Sequence, residues 1–281
     1  MRVGGSLAVS VAVVLVLAAR APGAQSVLFD LDGPSSGSLY GAALAGIGDL
    51  DGDARSEFAV GSFGEGMSLA TGRVRIYSGH TGVQLVLLQG PPSADHYGEA
   101  LAGGLDWNRD GKPDLLVGAR ADGQGGASAG SARVYSGATF QQLASVHGNS
   151  TGDLCGDSVA VIGDVDGDGC ADILVGLPGE DGAGFNIGQV KVYRGGTGAL
   201  LHAKNGEIDF NQLGRNVCGV GDVDLDGFPD FAASAPSGIS WIKIWSGASG
   251  AQWLKIPQPV GLDWSQLELV GAGDLDGDGR G

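Results

Sequence analysis

The chain has 281 residues, 54 of them glycine, and a formal net charge of −16 from 32 Asp and Glu against 16 Lys and Arg. So little basic charge excludes a phosphate-backbone partner, which needs clustered Lys and Arg, so no nucleic acid is expected. Abundant glycine without a Gly-X-Y period, among many short Val/Leu/Ile/Ala runs, predicts an all-β chain rich in turns.

Residues 1–24 read as a secretory signal peptide. Arg2 supplies the positive start, an apolar run extends from Leu7 to Ala19, and small residues lead to a cut after Ala24. The run is shorter than the roughly 20 residues a membrane span needs. The mature chain, 25–281, is therefore expected to be exported, secreted or held at the cell surface, with no membrane span of its own.

SVLFDLDG (26–33) looks like the last strand of a repeat whose first three strands are missing. Beyond it an acidic loop recurs: DLDGDARSE (49–57), DWNRDGKPD (106–114), DVDGDGCAD (164–172), DVDLDGFPD (222–230) and DLDGDGRG (274–281). The loops start 57, 58, 58 and 52 residues apart and hold more than half of the acidic residues. Each is preceded by a small-residue strand, such as ALAGIG before Asp49 or NVCGVG before Asp222, and followed by a second: FAVGS (58–62), LLVGA (115–119), ILVGL (173–177) and FAASA (231–235). A third strand alternates in pattern and carries a recurring aromatic, Tyr77, Tyr135, Tyr193 and Trp245. The fourth follows a glycine turn: VQLVLLQG (83–90), FQQLASVHG (140–148), ALLHAKNG (199–206) and AQWLKIP (251–257). Four short strands joined by tight turns make one antiparallel sheet, and such a unit cannot bury both faces alone. Radial stacking into a β-propeller is the expected solution, with a β-solenoid the runner-up. The orphan strand 26–33 would close the ring by joining the last blade. The fifth loop stops at its eighth position, so this chain is expected to carry an incomplete ring.

Within each loop, carboxylates at positions 1, 3, 5 and 9 surround a turn. Four like charges in nine residues repel one another unless a hard cation takes them as ligands, and Ca²⁺ accepts six to eight oxygens at roughly 2.3–2.6 Å in a tolerant geometry. The candidate ligands are Asp49, Asp51, Asp53 and Glu57; Asp106, Asn108, Asp110 and Asp114; Asp164, Asp166, Asp168 and Asp172; Asp222, Asp224, Asp226 and Asp230; and Asp274, Asp276 and Asp278. The backbone carbonyl at position 7, from Arg55, Lys112, Cys170 or Phe228, completes the set. All-oxygen ligation disfavours Zn²⁺ and Cu²⁺, and Mg²⁺ demands a stricter octahedron, so about one Ca²⁺ per loop is expected. A helical EF-hand is excluded: its bidentate acid at position 12 is replaced by Val60, Val117, Val175 or Ala233.

Two further elements recur around the loops. One reads Tyr40-Gly41, Tyr97-Gly98, Cys155-Gly156 and Leu213-Gly214. The other reads Gly61-Ser62, Gly118-Ala119-Arg120, Gly176-Leu177-Pro178 and Ser234-Ala235-Pro236. In this order they resemble FG-GAP repeats, the blade unit of the integrin α-subunit propeller, over roughly residues 38–281. The fifth copy departs, with Trp264-Ser265-Gln266 where the first element belongs. The resemblance implies a seven-bladed propeller with Ca²⁺ loops on one rim, and a role in recognition or adhesion rather than catalysis. Nothing corresponds to an integrin stalk, membrane helix or tail.

Other residues carry weaker readings. Cys155, Cys170 and Cys218 stand where sister repeats hold other residues, and read as small hydrophobes, with one disulfide plus a free thiol the alternative. His80, His96, His147 and His202 are scattered over the repeat and are expected in surface loops. Trp241 and Trp245 share a strand face and are expected to fill space between blades. Asn149-Ser150-Thr151 is a glycosylation sequon. The functional expectation is a non-catalytic module binding a protein or polysaccharide. A Ca²⁺-dependent polysaccharide lyase or glycoside hydrolase is the alternative, although repeat-wide acids at metal-ligand spacing argue against a catalytic carboxylate pair.

Overall fold

The computed structural model describes residues 29–65, 71–92, 96–237, 240–259 and 268–271. The signal segment, the fifth loop with Asp274, Asp276 and Asp278, and Trp264-Ser265-Gln266 lie outside the described residues. The described residues contain sixteen strands and no helix.

They form four antiparallel sheets in strict chain order. The first contains β1 (Tyr40–Gly48), β2 (Glu57–Ser62), β3 (Arg73–Tyr77) and β4 (Gln84–Gln89). The second contains β5 (Ala100–Leu105), β6 (Asp114–Ala119), β7 (Ser131–Tyr135) and β8 (Gln142–His147). The third contains β9 (Val159–Gly163), β10 (Asp172–Leu177), β11 (Gln189–Tyr193) and β12 (Leu200–Asn205), and the fourth β13 (Asn216–Gly221), β14 (Asp230–Ala235), β15 (Trp241–Trp245) and β16 (Gln252–Pro257). These are the four strands expected of each repeat. Separate four-stranded sheets, rather than continuous ladders running from repeat to repeat, make this an incomplete β-propeller and not a solenoid.

The first strands β1, β5, β9 and β13 lie side by side around the middle. They line a cavity of about 360 Å³ with Leu44, Leu101, Val159 and Cys218. Second strands are buried along their whole length, whereas β16 is exposed along its whole length. The inside-to-outside order of each blade is therefore first strand to fourth.

The cores lie between blades. One joins Ile47, Val74 and Ile76 of the first sheet to Tyr97, Leu115 and Val117 of the second. The next joins Leu116 and Val134 to Ile173, Val175 and Leu177, and the third joins Leu174, Val190 and Val192 to Phe231, Trp241 and Trp245. The second and third sheets thus spend their two apolar faces on two different neighbours, which is why a single repeat cannot fold alone. Trp241 and Trp245 are 2% and 4% exposed, as an inter-blade packing role requires, and the Trp245 ring stacks on Phe231 at 5.5 Å.

The two recurring short motifs have a physical meaning here. Tyr97, Cys155 and Leu213 are fully buried plugs in the three inter-blade cores. The glycine after each donates its N–H within its own blade: Gly98 to the Gly118 carbonyl at 2.9 Å, Gly156 to Gly176 at 3.0 Å, Gly214 to Ser234 at 3.0 Å. Its carbonyl meanwhile presses on the α-carbon of Gly61, Gly118 or Gly176 in the preceding blade, where an added Cβ would overlap it. Glycine in the second strand therefore sets blade spacing. Gly118→Ala is expected to destabilise the protein by about 1–3 kcal/mol through forced separation of the blades. A thermal or urea melt checks this, and an unchanged midpoint would remove the spacing role.

Residues 29–33 lie against the face of the first sheet turned away from the second, where the fourth strand of a preceding blade would pack. Phe29 stacks over Phe58 at 6.3 Å as His202, its counterpart in the repeat, stacks over Phe231 at 6.2 Å. Phe29 and Leu31 pack against Tyr40, Phe58, Val60 and Tyr77. Among the described residues this segment has no ladder partner.

Two expectations are corrected or narrowed. His147 and His202 lie on β8 and β12, not in loops. Burial lowers the pKa of both, and His202 Nε2 sits 2.7 Å from the Gly247 carbonyl. A period-2 strand admits any side chain with an apolar body on its inner side, and a count of scattered histidines misses that. The three cysteines are buried and free, so the disulfide alternative is not realised. Burial pushes the Cys155 thiol up to about 12 and Cys218 up to about 11, which leaves both as unreactive packing groups.

Candidate metal centre

Each of the four described acidic loops joins the first strand of a blade to the second. The loops sit next to one another at one end of the molecule: Ala171 N donates to the Asp106 carbonyl at 2.9 Å, Gly196 N to the Trp107 carbonyl at 2.7 Å, and Lys112 Nζ to the Asp49 carbonyl at 3.4 Å.

The loop conformation follows from its residue types. Positions 4 and 6 adopt positive φ: Gly52 and Ala54, Arg109 and Gly111, Gly167 and Gly169, Leu225 and Gly227. This curls the chain so that the position-1 carboxylate faces the backbone N–H groups of positions 4 to 6. Asp164 accepts from Gly167 at 2.7 Å and from Gly169 at 2.7 Å; Asp106 accepts from Gly111 at 2.7 Å and Asp222 from Gly227 at 2.9 Å. The donor at Gly52, 2.5 Å away, is the main influence that lowers the pKa of Asp49. The side chains at positions 3 and 5 each accept from the N–H two residues on, as at Asp53 to Asp51 (3.1 Å), Asp110 to Asn108 (3.0 Å), Cys170 to Asp168 (2.8 Å) and Phe228 to Asp226 (2.9 Å). These are stacked Asx turns, so every short acid shapes the loop before any ligand arrives. Position 2 is the anchor: Leu50, Trp107, Val165 and Val223 are buried apolar residues, the first three of them in the inter-blade cores.

Position 9 differs in kind. Glu57, Asp114, Asp172 and Asp230 are the first residues of their strands and are at most 2% exposed. One oxygen accepts the N–H of position 2: Leu50 at 2.6 Å, Trp107 at 2.9 Å, Val165 at 2.8 Å, Val223 at 2.9 Å. In three blades the other oxygen accepts the first glycine N–H of the third-to-fourth-strand turn: Gly137 at 2.9 Å, Gly195 at 2.7 Å, Gly247 at 2.8 Å. The position-9 acid therefore clamps loop, strand and turn together. Burial pushes Asp114 and Asp172 up to about 6 against the pull of those donors, reinforced by the neighbouring loop acids; Asp230 is raised for the same reason.

The structure brings candidate ligand atoms to within 4.8 Å of one another in three groups: Asp49, Asp51 and Asp53; Asp164, Asp166 and Asp172; Asp222, Asp224 and Asp230. The second loop presents Asp106, Asn108 and Asp110 in the same turn, with Asn108 Nδ2 3.0 Å from Asp110 Oδ2. A divalent cation fits this donor set. All side-chain donors are oxygens, and Glu57 Oε1 is a buried oxygen with no hydrogen-bond partner, whereas Asp166 Oδ2 is ion-paired with Arg194 Nη2. A buried, unsatisfied carboxylate oxygen costs free energy that a bound cation would recover.

Sequence reasoning missed the polar element at the other end of each blade. A buried cation stands in the middle of every third strand: Arg75, Arg133, Lys191 and Lys243. Arg75 pairs with Glu65 at 2.6 Å, Arg133 with Asp122 at 2.5 Å, and Lys243 with Glu207. The signal was present as a Lys or Arg in each alternating strand (RVRIY, ARVY, QVKVY, WIKIW) at a fixed offset from the loops, hidden because alternation suggests a solvent-facing charge. Glu99, Arg120, Asp157 and Arg215 form a further chain at this end, with Arg120 Nε 2.8 Å from Glu99 and Arg215 Nη1 2.8 Å from Asp157.

Comparison with known proteins agrees with this architecture. Residues 106–175 match the family described as FG-GAP-like repeat. The chain is 30% identical to human (Homo sapiens) integrin alpha-IIb over 233 residues, covering 75% of this chain and 21% of that protein. It is 29% identical to chicken (Gallus gallus) integrin alpha-V over 196 residues, covering 62% and 18%, and 28% identical to Xenopus laevis integrin alpha-5 over 206 residues, covering 66% and 19%. The chain thus spans about a fifth of the length of these relatives. Repeated blades, hairpin acid loops, paired motifs and these likenesses together make the chain an FG-GAP repeat protein that resembles the integrin α-chains.

Proposed function

We propose that the protein is an exported, Ca²⁺-binding propeller that serves as a non-catalytic binding or adhesion module. The observation that carries the cation half is the clustering of three carboxylates in loops whose backbone is already curled around them, with a buried Glu57 oxygen lacking a hydrogen-bond partner. In each loop the ligands are the side chains at positions 1, 3, 5 and 9 with the position-7 carbonyl, Ca²⁺ being the hard cation that suits oxygen ligands in a tolerant geometry. The ion neutralises the loop and locks the hairpin that starts the blade.

The ligand-binding half rests on the resemblance to integrin α-chains and on the opposite end of the blades. There the charged chain of Glu99, Arg120, Asp157 and Arg215 lies near a cavity of about 430 Å³, lined among others by Asp157, Arg215 and Glu268. Exposed charge of both signs beside a concavity suits a protein or polysaccharide ligand held away from the metal rim.

Ca²⁺ at a hundredfold excess over its dissociation constant should stabilise the fold by about 2.7 kcal/mol per site. The check is a thermal melt in Ca²⁺ against EGTA: a midpoint raised by Ca²⁺ and lowered again by chelation is expected, and identical midpoints would reject the cation reading. Retention on immobilised glycans or matrix proteins, with no cleavage products, tests the binding reading; turnover of any of them would replace it with an enzyme.

A further inference from the structure

The residue after the third-strand aromatic is serine in three described blades, Ser78, Ser136 and Ser246, and arginine in the other, Arg194. The serines accept backbone N–H groups of the following turn, as Ser136 Oγ does from Ala138 and Thr139 at 3.2 Å. Two of them also lie against the position-5 acid of their own loop, Ser136 at 3.4 Å from Asp110 Oδ2 and Ser246 at 3.2 Å from Asp226 Oδ2. A guanidinium cannot accept a hydrogen bond. Arg194 instead reaches across into the third loop. Its Nη2 forms an ion pair with Asp166 Oδ2, and its Nε lies 3.8 Å from Asp168 Oδ2. Asp166 Oδ2 is the buried oxygen that lacks hydrogen-bond geometry to any partner, and Asp166 belongs to the cluster with Asp164 and Asp172. A second cation leans on the same loop, since Arg109 Nη1 is 3.0 Å from the Asp168 carbonyl.

We infer that Arg194 is a built-in counter-ion of the third loop, which competes with a divalent cation for Asp166 and makes this loop the weakest metal site of the four described. The inference rests on the reading that these loops bind Ca²⁺. Arginine keeps its charge at any ordinary pH, so it cannot yield by losing a proton. A cation must either displace the guanidinium from Asp166 or bind beside a like charge. The Arg194 side chain is 40% exposed, so it has water to swing into. The cost is therefore a partly exposed ion pair plus residual repulsion, which corresponds to about tenfold in affinity. By the same token the third loop keeps part of its charge offset when Ca²⁺ is scarce, whereas no arginine is ion-paired with the acids of the other three described loops.

The experiment is calorimetric titration of the EGTA-stripped protein with CaCl₂. The wild type should show one site weaker than the rest. Arg194→Ser, which installs the residue of the sister blades, should tighten that site by about tenfold and leave the others alone. Arg194→Gln should do the same without restoring the serine turn, and Arg194→Lys should keep the site weak. Adding Asp166→Asn to Arg194→Ser should abolish the tightened site. If the wild type binds Ca²⁺ but Arg194→Ser and Arg194→Gln titrate identically to it, or if Arg194→Lys tightens the site as much, the counter-ion role is wrong while the loop reading stands. If no variant binds Ca²⁺, the loop reading itself fails and takes this inference with it.

Discussion

Asp172→Ala is expected to destabilise the protein by about 2–5 kcal/mol even when every divalent cation has been chelated. The reason is the double duty of the position-9 acid. Asp172 is fully buried and accepts Val165 N at 2.8 Å and Gly195 N at 2.7 Å. Alanine leaves two buried N–H groups without partners, each at a cost of about 1–3 kcal/mol. It also unfastens the loop from the β11–β12 turn, so the hairpin ends lose their common clamp. Asp166→Ala is the contrast. It holds one Asx-turn contact, from Asp168 N at 3.2 Å, and the ion pair with Arg194, whose side chain is 40% exposed and so contributes little, and its loss should therefore be small in EGTA and appear mainly in Ca²⁺. Urea unfolding of both variants in EGTA and in Ca²⁺ separates the two roles. A wild-type midpoint for Asp172→Ala in EGTA would mean that position 9 acts only through the metal.

Arg133→Met should cost about 3–5 kcal/mol at neutral pH, because it strands a buried carboxylate. Asp122 has no exposure and Arg133 only 4%; Arg133 Nη2 contacts Asp122 Oδ2 at 2.5 Å, and Ser131 Oγ donates to the same oxygen at 2.8 Å. Burial by itself would push the Asp122 pKa up, but the bonds from Arg133 and Ser131 outweigh it and hold the carboxyl below its usual 3.8. A folded-state pKa below the unfolded one means that the pair contributes its stability above the unfolded value and loses it as pH falls through the folded value. Glu65, held low by Arg75 against its own burial, has the same sign. Without Arg133 the balance reverses: burial dominates, Asp122 prefers its proton, and acidification helps the variant. The gap between wild type and Arg133→Met should therefore narrow between pH 7 and pH 4.5. The double variant Arg133→Met with Asp122→Leu should recover most of the loss, since no unpaired charge remains. A gap that is constant with pH would show that lost packing, not stranded charge, causes the defect.

Both effects centre on residues that were legible in the sequence to different degrees. Asp172 was visible as an acid at a repeated position. Its partners were not visible, because Gly195 lies 23 residues away in another turn and offers only a backbone N–H, which every residue possesses. Arg133 was visible only as one polar residue in an alternating strand. Alternation normally means one face in solvent. In these sheets both faces of the third strand are covered, so the polar face is buried and must bring its own counter-ion, Asp122, from the adjoining loop.

The repeat itself was fully legible. Recurrence of an acid loop every 52 to 58 residues, with strand-length apolar runs between turns, determined the number, order and antiparallel pairing of the sixteen described strands. Local chemistry suffices for that, since turn residues and period-2 patterns act over a few positions. The loop type was equally local, for Val60, Val117, Val175 and Ala233 could only belong to a strand. Tertiary structure decided whatever depends on the neighbour across a blade interface. That includes the clamp formed by the position-9 acids, the burial of Arg75, Arg133, Lys191 and Lys243, and the strand positions of His147 and His202. It also includes the glycine at Gly118, whose constraint is a carbonyl 38 residues later in another sheet. Arg194 shows the boundary most clearly. A single departure from serine is plain in the aligned repeats, but only the folded loop places that charge on Asp166, because the approach is set by the turn geometry of one blade and not by any spacing along the chain.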